Sequence, residues 1–154
     1  MELKRDNIAL IVFDFDGVMT DNRVIVDENG KESVVVSRAD GQGVSILKRM
    51  GLAMIIISSE KNKVVSKRAE KLSLSVMQGI SKKEETLSEY CSANNIPLEK
   101  VLYVGNDVND LEAMKLCGFV VVPNDAHQCV KDIADVILQT NGGYGVVREL
   151  ADLV

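Results

Sequence analysis

Short, uninterrupted apolar runs alternate with helix-period segments along most of this chain, and that alternation restricts the fold more than any other feature of the sequence. The first run, Ile8-Ala-Leu-Ile-Val-Phe13, has no polar residue on either face and stops at acids, the pattern of a strand buried on both sides. Val24 to Val26 and Ser33 to Val36 flank Asp27-Glu-Asn-Gly30. Asn-Gly accepts the positive φ angles of a tight turn, so a β-hairpin is expected over about residues 23–37.

Val44, Leu47 and Met50 recur at helical spacing from Gly43 to Met50, with Gly51 as the left-handed residue that ends the helix. Ala53–Ile57 reads as a second buried strand, Lys63–Leu72 as a helix with Val64, Val65, Ala69 and Leu72 inward, and Ser75–Met77 as a short strand. Lys83–Asn94 reads as a helix with Leu87, Tyr90 and Cys91 inward, closed by Pro97. Val101–Val104 is the next strand, Asp110–Leu116 a helix capped by Gly118, Phe119–Val122 a strand stopped by Pro123, and Val136–Leu138 a last strand. Gly142-Gly-Tyr-Gly145 reads as a flexible turn before a helix with Val147, Leu150 and Leu153 inward. Repeated strand-helix units predict an α/β fold: a three-layer, Rossmann-like parallel sheet with helices on both faces and the hairpin projecting from it.

At 154 residues, 46% apolar and 27% charged, with two prolines and no polar low-complexity tract, the chain reads as a single folded domain over residues 1–154. Eighteen basic against twenty-three acidic residues leave a net charge of −5, and the basic residues are scattered, which argues against a nucleic-acid partner. The run Ile8–Phe13 is far shorter than the roughly 20 residues that span a bilayer. No signal-peptide core follows the charged start, so a cytoplasmic location without membrane contact is expected. Cys91, Cys117 and Cys129 lack C-x-x-C spacing and read as reduced thiols, the first two as core filler. With His127 as the single histidine, neither a zinc site nor a Ser-His-Asp triad is expected.

Three apolar runs end in polar residues: Phe13 gives way to Asp14 and Asp16, Ile57 to Ser58 and Ser59, and Val104-Gly105 to Asn106, Asp107 and Asp110. Carboxyl ends of parallel strands border the ligand crevice of an open sheet, so these groups are expected to meet. Two like charges about 4 Å apart repel by roughly 4 kcal/mol at an effective dielectric of 20. Four carboxylates in one crevice therefore require protonation or a cation, and all-oxygen donors favour magnesium. Magnesium held by carboxylates commonly serves a phosphate, and an aspartate can attack phosphorus. Ser58 and a lysine of Ser81-Lys82-Lys83 are placed to neutralise the transferring group.

These residues resemble the four motifs of the haloacid dehalogenase-like phosphatases, in order. Asp14-Phe-Asp-Gly-Val-Met-Thr-Asp21 is similar to the first, Ile55-Ile-Ile-Ser58 to the second, Lys83 to the third and Gly105-Asn-Asp-Val-Asn-Asp110 to the fourth. The resemblance implies that Asp14 is the nucleophile and that Asp16 protonates the leaving oxygen and then activates water. It implies a magnesium ion held by the Asp14 carboxylate, the Asp16 backbone carbonyl and Asp107, with Asp110 orienting the ion or the lysine. Ser58, the Ser59 N–H and Lys83 would hold the phosphate. The chain departs from the family's usual pattern in Ser58-Ser59, where Thr-Gly is common, and in Lys82-Lys83-Glu84, where Asp-Lys-Leu is common. Counting from Gly79 favours Lys83 as the third-motif lysine, with Lys82 as the alternative.

The hairpin and helices fill the stretches between Asp14, Ser58 and Lys83, which leaves no room for a cap domain. Val24, Ile25, Val26, Val34, Val35 and Val36 give the hairpin two apolar strands, the mark of an interface. Capless members of the family resemble this chain in Arg38-Ala-Asp-Gly-Gln-Gly43 and in Gly142-Gly-Tyr-Gly-Val-Val-Arg-Glu149. They are phosphatases of 3-deoxy-ulosonate phosphates, tetramers in which a neighbouring subunit closes the site, so a homotetramer acting on a small phosphorylated sugar acid is expected. Eight-carbon octulosonate 8-phosphate enzymes usually carry Gly-Arg after the second-motif hydroxyl. Here Ser59-Glu60 follows, and residues 60–72 are more similar to the nine-carbon branch that acts on deaminoneuraminate or N-acetylneuraminate 9-phosphate. That resemblance implies substrate contacts from Glu60, Arg68 and Lys71.

Two rival readings use the same residues. A phospho-receiver switch also combines a parallel sheet, an acidic magnesium pocket, a phosphoaspartate, a hydroxyl and a lysine, but it has no need of an acid at Asp16. A non-catalytic assembly module has no need of the complete motif set.

Overall fold

The computed structural model describes residues 3–154. In chain order it runs β1 (Leu10–Phe13), the hairpin strands β2 (Ile25–Val26) and β3 (Glu32–Ser33), α1 (Arg38–Arg49), β4 (Ala53–Ile57), α2 (Lys63–Leu72), β5 (Ser75–Met77) and α3 (Lys83–Ala93). The second half comprises β6 (Val101–Val104), α4 (Leu111–Met114), β7 (Phe119–Val122), α5 (Gln128–Lys131), β8 (Val136–Ile137) and α6 (Val146–Leu153). Six strands form one sheet in the order β5-β4-β1-β6-β7-β8, and every pairing is parallel. Among the described residues no helix is long and apolar enough to cross a membrane.

Both faces of the sheet are apolar because both are covered. Ile11, Phe13 and Ile56 point to the layer of α1, α2 and α6, while Leu10, Val12 and Ile57 point to the layer of α3, α4 and α5. This explains why β1, β6 and β7 read as continuous apolar runs rather than as alternating ones.

Helix α1 starts at Arg38, earlier than its apolar period suggests, because Ser37 caps it by accepting the Ala39 N–H at 3.1 Å. At its other end Gly51 does take the left-handed conformation, with φ +79°. Gly118 does not cap a helix. A Cβ there would collide with the Glu99 carbonyl, so close backbone approach is its reason. Leu153 is exposed, and Val146 and Ala151 join Val147 and Leu150 on the buried face of α6.

The hairpin strands are two residues each. Its turn is held by the Asp27 carboxylate, which accepts the N–H groups of Asn29 and Lys31 at 2.9 Å each. The expectation of two projecting apolar strands holds in part: Val24, Ile25, Val26 and Val35 are exposed, whereas Val34 and Val36 pack on the core.

Asp40 is buried where α1 crosses α6, and its Oδ1 accepts the Val147 N–H at 3.0 Å. Its Oδ2 has no hydrogen-bond partner. Burial raises its pKa to about 6, against the Val147 hydrogen bond and the Arg68 charge. A folded pKa above the unfolded 3.8 means that its stabilising contribution is full below pH 3.8 and lost as pH rises through about 6. Two pKa units correspond to about 3 kcal/mol. Asp40→Asn keeps the acceptor for Val147 and removes the buried charge, so it is expected to melt higher than the parent at pH 8, with the gap closing by pH 4. Thermal melts at the two pH values check this, and a gap independent of pH refutes it.

Candidate active site

Strands β1, β4 and β6 end level with one another, Phe13 pairing with Ile56 on one side and Val104 on the other. From β1 the chain builds β4 and β5 on one side, then returns to place β6 on the other. The crevice at this reversal receives Asp14 from β1, Ser58 from β4 and Asn106 from β6. It is a cavity of about 350 Å³ whose wall includes Asp14, Asp16, Ser58, Ser59, Glu60 and Asp107. The expected convergence of strand ends is therefore present.

Lys83, in the first turn of α3, reaches under the crevice and is 1% exposed. Its Nζ lies 2.8 Å from Asp14 Oδ1 and 2.8 Å from Asp110 Oδ1. Lys82 points outward and pairs with Glu85, so of the two candidate lysines the structure brings Lys83 into the site. Asp110 is fully buried and fully engaged: the Tyr103 hydroxyl donates to Oδ1 at 3.0 Å, and the N–H groups of Asn106 and Asp107 donate to Oδ2 at 3.0 and 3.3 Å. Asp110 thus holds the lysine and the fourth-motif loop together.

Two buried carboxylates sharing one ammonium leave a net negative charge out of water. Burial first, and then the Asp110 charge, push the Asp14 carboxyl up to about 7, with Lys83 opposing. For Lys83 burial works against the charge, but the two carboxylates outweigh it and its pKa is raised. Burial raises the Tyr103 phenol, with Asp110 adding to it, so this hydroxyl stays a donor. Asp16 is half-buried, and burial followed by the Glu60 charge raises its carboxyl, which favours the protonated form that a general acid needs.

Ser58 is buried, its N–H donating to the Met77 carbonyl at 2.9 Å and its Oγ accepting the Glu60 N–H at 3.1 Å. That leaves its hydroxyl proton available to a ligand oxygen. Ser59 is exposed at the rim, 3.5 Å from the Asn109 amide.

Asp107 lines the cavity, yet its carboxylate caps the following turn by accepting the Val108 N–H at 2.7 Å. The residue before it faces the expected metal position. The terminal atom of the Asn106 side chain lies 2.9 Å from the Asp16 carbonyl oxygen and 3.0 Å from Asp14 Oδ2. As an amide nitrogen it donates to both, and as an amide oxygen it completes a cluster of three oxygens. Neighbouring ligands of octahedral magnesium are about 2.9 Å apart, so this spacing fits such an ion. The spacing makes Asn106 a candidate ligand beside Asp107, the ligand that the resemblance implies. A sequence reading that counted carboxylates overlooked Asn106, although an amide oxygen directly after Gly105 was available as a signal.

Glu60 is at the wall, its Oε1 accepting the N–H groups of Lys61 and Asn62 at 2.8 Å each. Arg68 and Lys71 are elsewhere. They line a second, basic cavity with Arg38 and Lys48 between α1 and α2, where Arg68 Nη2 donates to the Ser37 carbonyl at 3.0 Å. Within one chain the three expected substrate contacts do not meet, because the helix that carries Arg68 and Lys71 turns them towards α1. Sequence reasoning also missed Asn22 and Asn109 at the mouth and Tyr103 beneath the floor.

A buried carboxylate braced by a buried lysine at the switch point of a parallel sheet is an arrangement suited to phosphoryl transfer. Residues 49–150 match the family of haloacid dehalogenase-like hydrolases. The chain is 34% identical to the 3-deoxy-D-manno-octulosonate 8-phosphate phosphatase of Escherichia coli K12 over 98% of its own length and 81% of that protein. It superposes on the crystal structure of a HAD family hydrolase from Streptomyces avermitilis with a TM-score of 0.97 and 42% identity, over 100% of this chain and 88% of that one. The octulosonate 8-phosphate phosphatase of Moraxella catarrhalis, solved with magnesium, phosphate and KDO, gives a TM-score of 0.92 at 29% identity, over 97% and 86% of the two chains. The chain belongs to the haloacid dehalogenase-like hydrolases, in the group of the ulosonate-phosphate phosphatases, and is a phosphoric monoester hydrolase.

Proposed function

We propose that this chain hydrolyses the phosphate monoester of a 3-deoxy-ulosonic acid, a nine-carbon 9-phosphate, through a phosphoaspartate on Asp14. The observation that carries the reading is the Asp14–Lys83–Asp110 chain under a cavity lined by acids and amides. Asp14 attacks phosphorus as the bond to the sugar oxygen breaks, and Asp16 gives its proton to that oxygen. Asp16, now a carboxylate, then takes a proton from water whose oxygen attacks phosphorus, which releases phosphate and restores Asp14. The Ser58 hydroxyl, the Ser59 N–H and Lys83 hold the non-bridging oxygens. Magnesium bound by Asp14, the Asp16 carbonyl, Asp107 and Asn106 supplies neutralisation of the phosphate charge.

A sugar-acid phosphate also carries a carboxylate, and among the described residues no Lys or Arg lines the cavity besides Lys83 beneath its floor, which is engaged with Asp14 and Asp110. The basic cavity at Arg68 and Lys71 is the matching surface, and it serves a substrate when offered by a neighbouring copy. This supports a homo-oligomer in which Glu60 contacts sugar hydroxyls in one subunit while Arg68 and Lys71 contact the carboxylate from another. The 34% identity to an octulosonate 8-phosphate phosphatase supports the eight-carbon ester as the second reading.

The test is magnesium-dependent phosphate release from deaminoneuraminate 9-phosphate, N-acetylneuraminate 9-phosphate and octulosonate 8-phosphate. A nine-carbon ester is expected to be preferred, and preference for the eight-carbon ester refutes that specificity. Arg68→Ala is expected to cost at least about tenfold in kcat/KM, as loss of a charged contact does. Activity returning when these subunits are mixed with Asp14→Asn subunits supports contact between subunits, and no return refutes it.

A further inference from the structure

We infer that Asn22 is a specificity-determining residue, its side-chain amide holding the hydroxyls of the sugar chain next to the ester. This rests on reading the chain as a phosphatase of a phosphorylated sugar acid.

The groups suited to magnesium and phosphate come from the ends of β1, β4 and β6, while Asn22 belongs to the cavity wall with Ser59, Glu60 and Asn109. Asn22 follows Asp16 in one loop. The reaction proposed above brings Asp16 to the ester oxygen, so the carbons beyond that oxygen come to the Asn22 side of the mouth.

The turn itself does not call for an asparagine. Asn22 has φ +66°, a left-handed conformation that asparagine tolerates and glycine adopts at no steric cost. Asparagine adds a carboxamide at the mouth. Among the described residues Asn22 is bonded through its backbone N–H, and its side chain has no partner in the protein. The other polar groups of the wall are engaged: Glu60 Oε1 with the Lys61 and Asn62 N–H groups, Asn106 with Asp14 and the Asp16 carbonyl, and Asn109 with Ser59. With the carboxylates of Asp16 and Glu60 in the same wall, a substrate carboxylate is repelled here. Hydroxyls remain, and a carboxamide both donates to them and accepts from them.

The amide sits on a fixed mount. Thr20 is fully buried, and its Oγ1 accepts the Gly17 N–H at 3.2 Å and the Asn22 N–H at 3.1 Å. Thr20 also forms an antiparallel bridge with Val36 at the base of the hairpin. Behind the loop, the C-terminal turn expected to be flexible is packed against backbone: the Gly143 N–H donates to the Val18 carbonyl at 3.0 Å, and the Gly142 N–H to Asp125 Oδ1 at 2.9 Å. A Cβ on Gly142 would collide with the Gly17 carbonyl, and one on Gly143 with the Asp21 N–H.

Asn22→Gly tests the assignment, because it removes the amide and keeps the backbone conformation; its melting temperature is expected to be no lower than the parent's. The sugar ester that the parent uses best, of the three named above, is compared with propyl phosphate, which leaves as the same kind of alkoxide and carries no hydroxyl. kcat/KM for the sugar ester is expected to fall at least about fivefold, as loss of one or two neutral hydrogen bonds does. For propyl phosphate it is expected to change less than about twofold. Where propyl phosphate turns over too slowly to follow, its inhibition constant against the sugar ester is read instead. Equal losses on both esters mean a loosened loop and overturn the assignment, and so does no loss on either. A parent that hydrolyses none of the three sugar esters removes the sugar-acid reading and the role of Asn22 with it. If the parent hydrolyses one and the variant shows no selective loss, only the role of Asn22 fails.

Discussion

Asparagine at position 14 is expected to lower phosphate release by about 10⁴-fold or more, because an amide oxygen of the same size is no nucleophile and no other group takes its place. The fold is expected to survive. In the parent Asp14 is buried beside Asp110, and these raise its carboxyl to about 7. With the folded pKa above the unfolded 3.8, the stabilising contribution of Asp14 is full below pH 3.8 and lost as pH rises through about 7. Asp14→Asn removes that burden, so without divalent ions the variant is expected to melt no lower than the parent at pH 8. Acid-quenched single turnovers with labelled substrate are expected to trap phosphate on the parent and none on the variant. Labelled Asp14→Asn protein, or turnover above one hundredth of the parent's, contradicts the assignment.

Lys83→Met is expected to be the most damaging single change to stability. Lys83 is the ammonium between Asp14 and Asp110, which are 4% and 0% exposed. Removing one partner of a buried ion pair costs about 3–5 kcal/mol, because the remaining charges have neither water nor a counter-ion. Turnover is expected to fall by at least about 10²-fold through loss of charge stabilisation at the phosphate. The two effects separate in the double variant Lys83→Met, Asp110→Asn. Urea unfolding is expected to recover most of the lost stability, since one stranded charge is gone, while phosphate release stays low. An unchanged unfolding midpoint for Lys83→Met rules out the ion-pair account. The loss in the single variant is also expected to shrink as pH falls, because Asp14, whose carboxyl is raised to about 7 in the parent by burial and the Asp110 charge, then takes up a proton.

Hydrophobic period and turn residues made most of the sheet readable. Ala53–Ile57, Lys63–Leu72, Ser75–Met77, Val101–Val104 and Phe119–Val122 are where apolar runs and end signals put them. Elements without that signal were missed. The four-residue helix Gln128–Lys131 is too short to show a period, and its cap is His127, whose Nδ1 accepts the Cys129 N–H. Gly118 and Gly142 carry contact constraints, which in a sequence resemble a helix cap at the first and loop flexibility at the second, because all of these call for a missing side chain.

The chain by itself determined a parallel α/β sheet, the strand ends at which polar residues collect, and an oxygen-rich, phosphate-directed site containing Asp14, Asp16 and Ser58, since all of these follow from local period and residue type. Tertiary structure alone decided between neighbours in the chain: Lys83 and not Lys82 reaches Asp14, and Asn106 lies against Asp14 Oδ2 and the Asp16 carbonyl while the Asp107 carboxylate caps the next turn. Side chains one residue apart diverge, and their direction is set by long-range bonds such as the His127 N–H on the Asn106 carbonyl and the Asp110 carboxylate on the loop N–H groups. The same holds for Glu60 and Arg68, which the family resemblance groups together and the packing of α2 on α1 sends to different cavities.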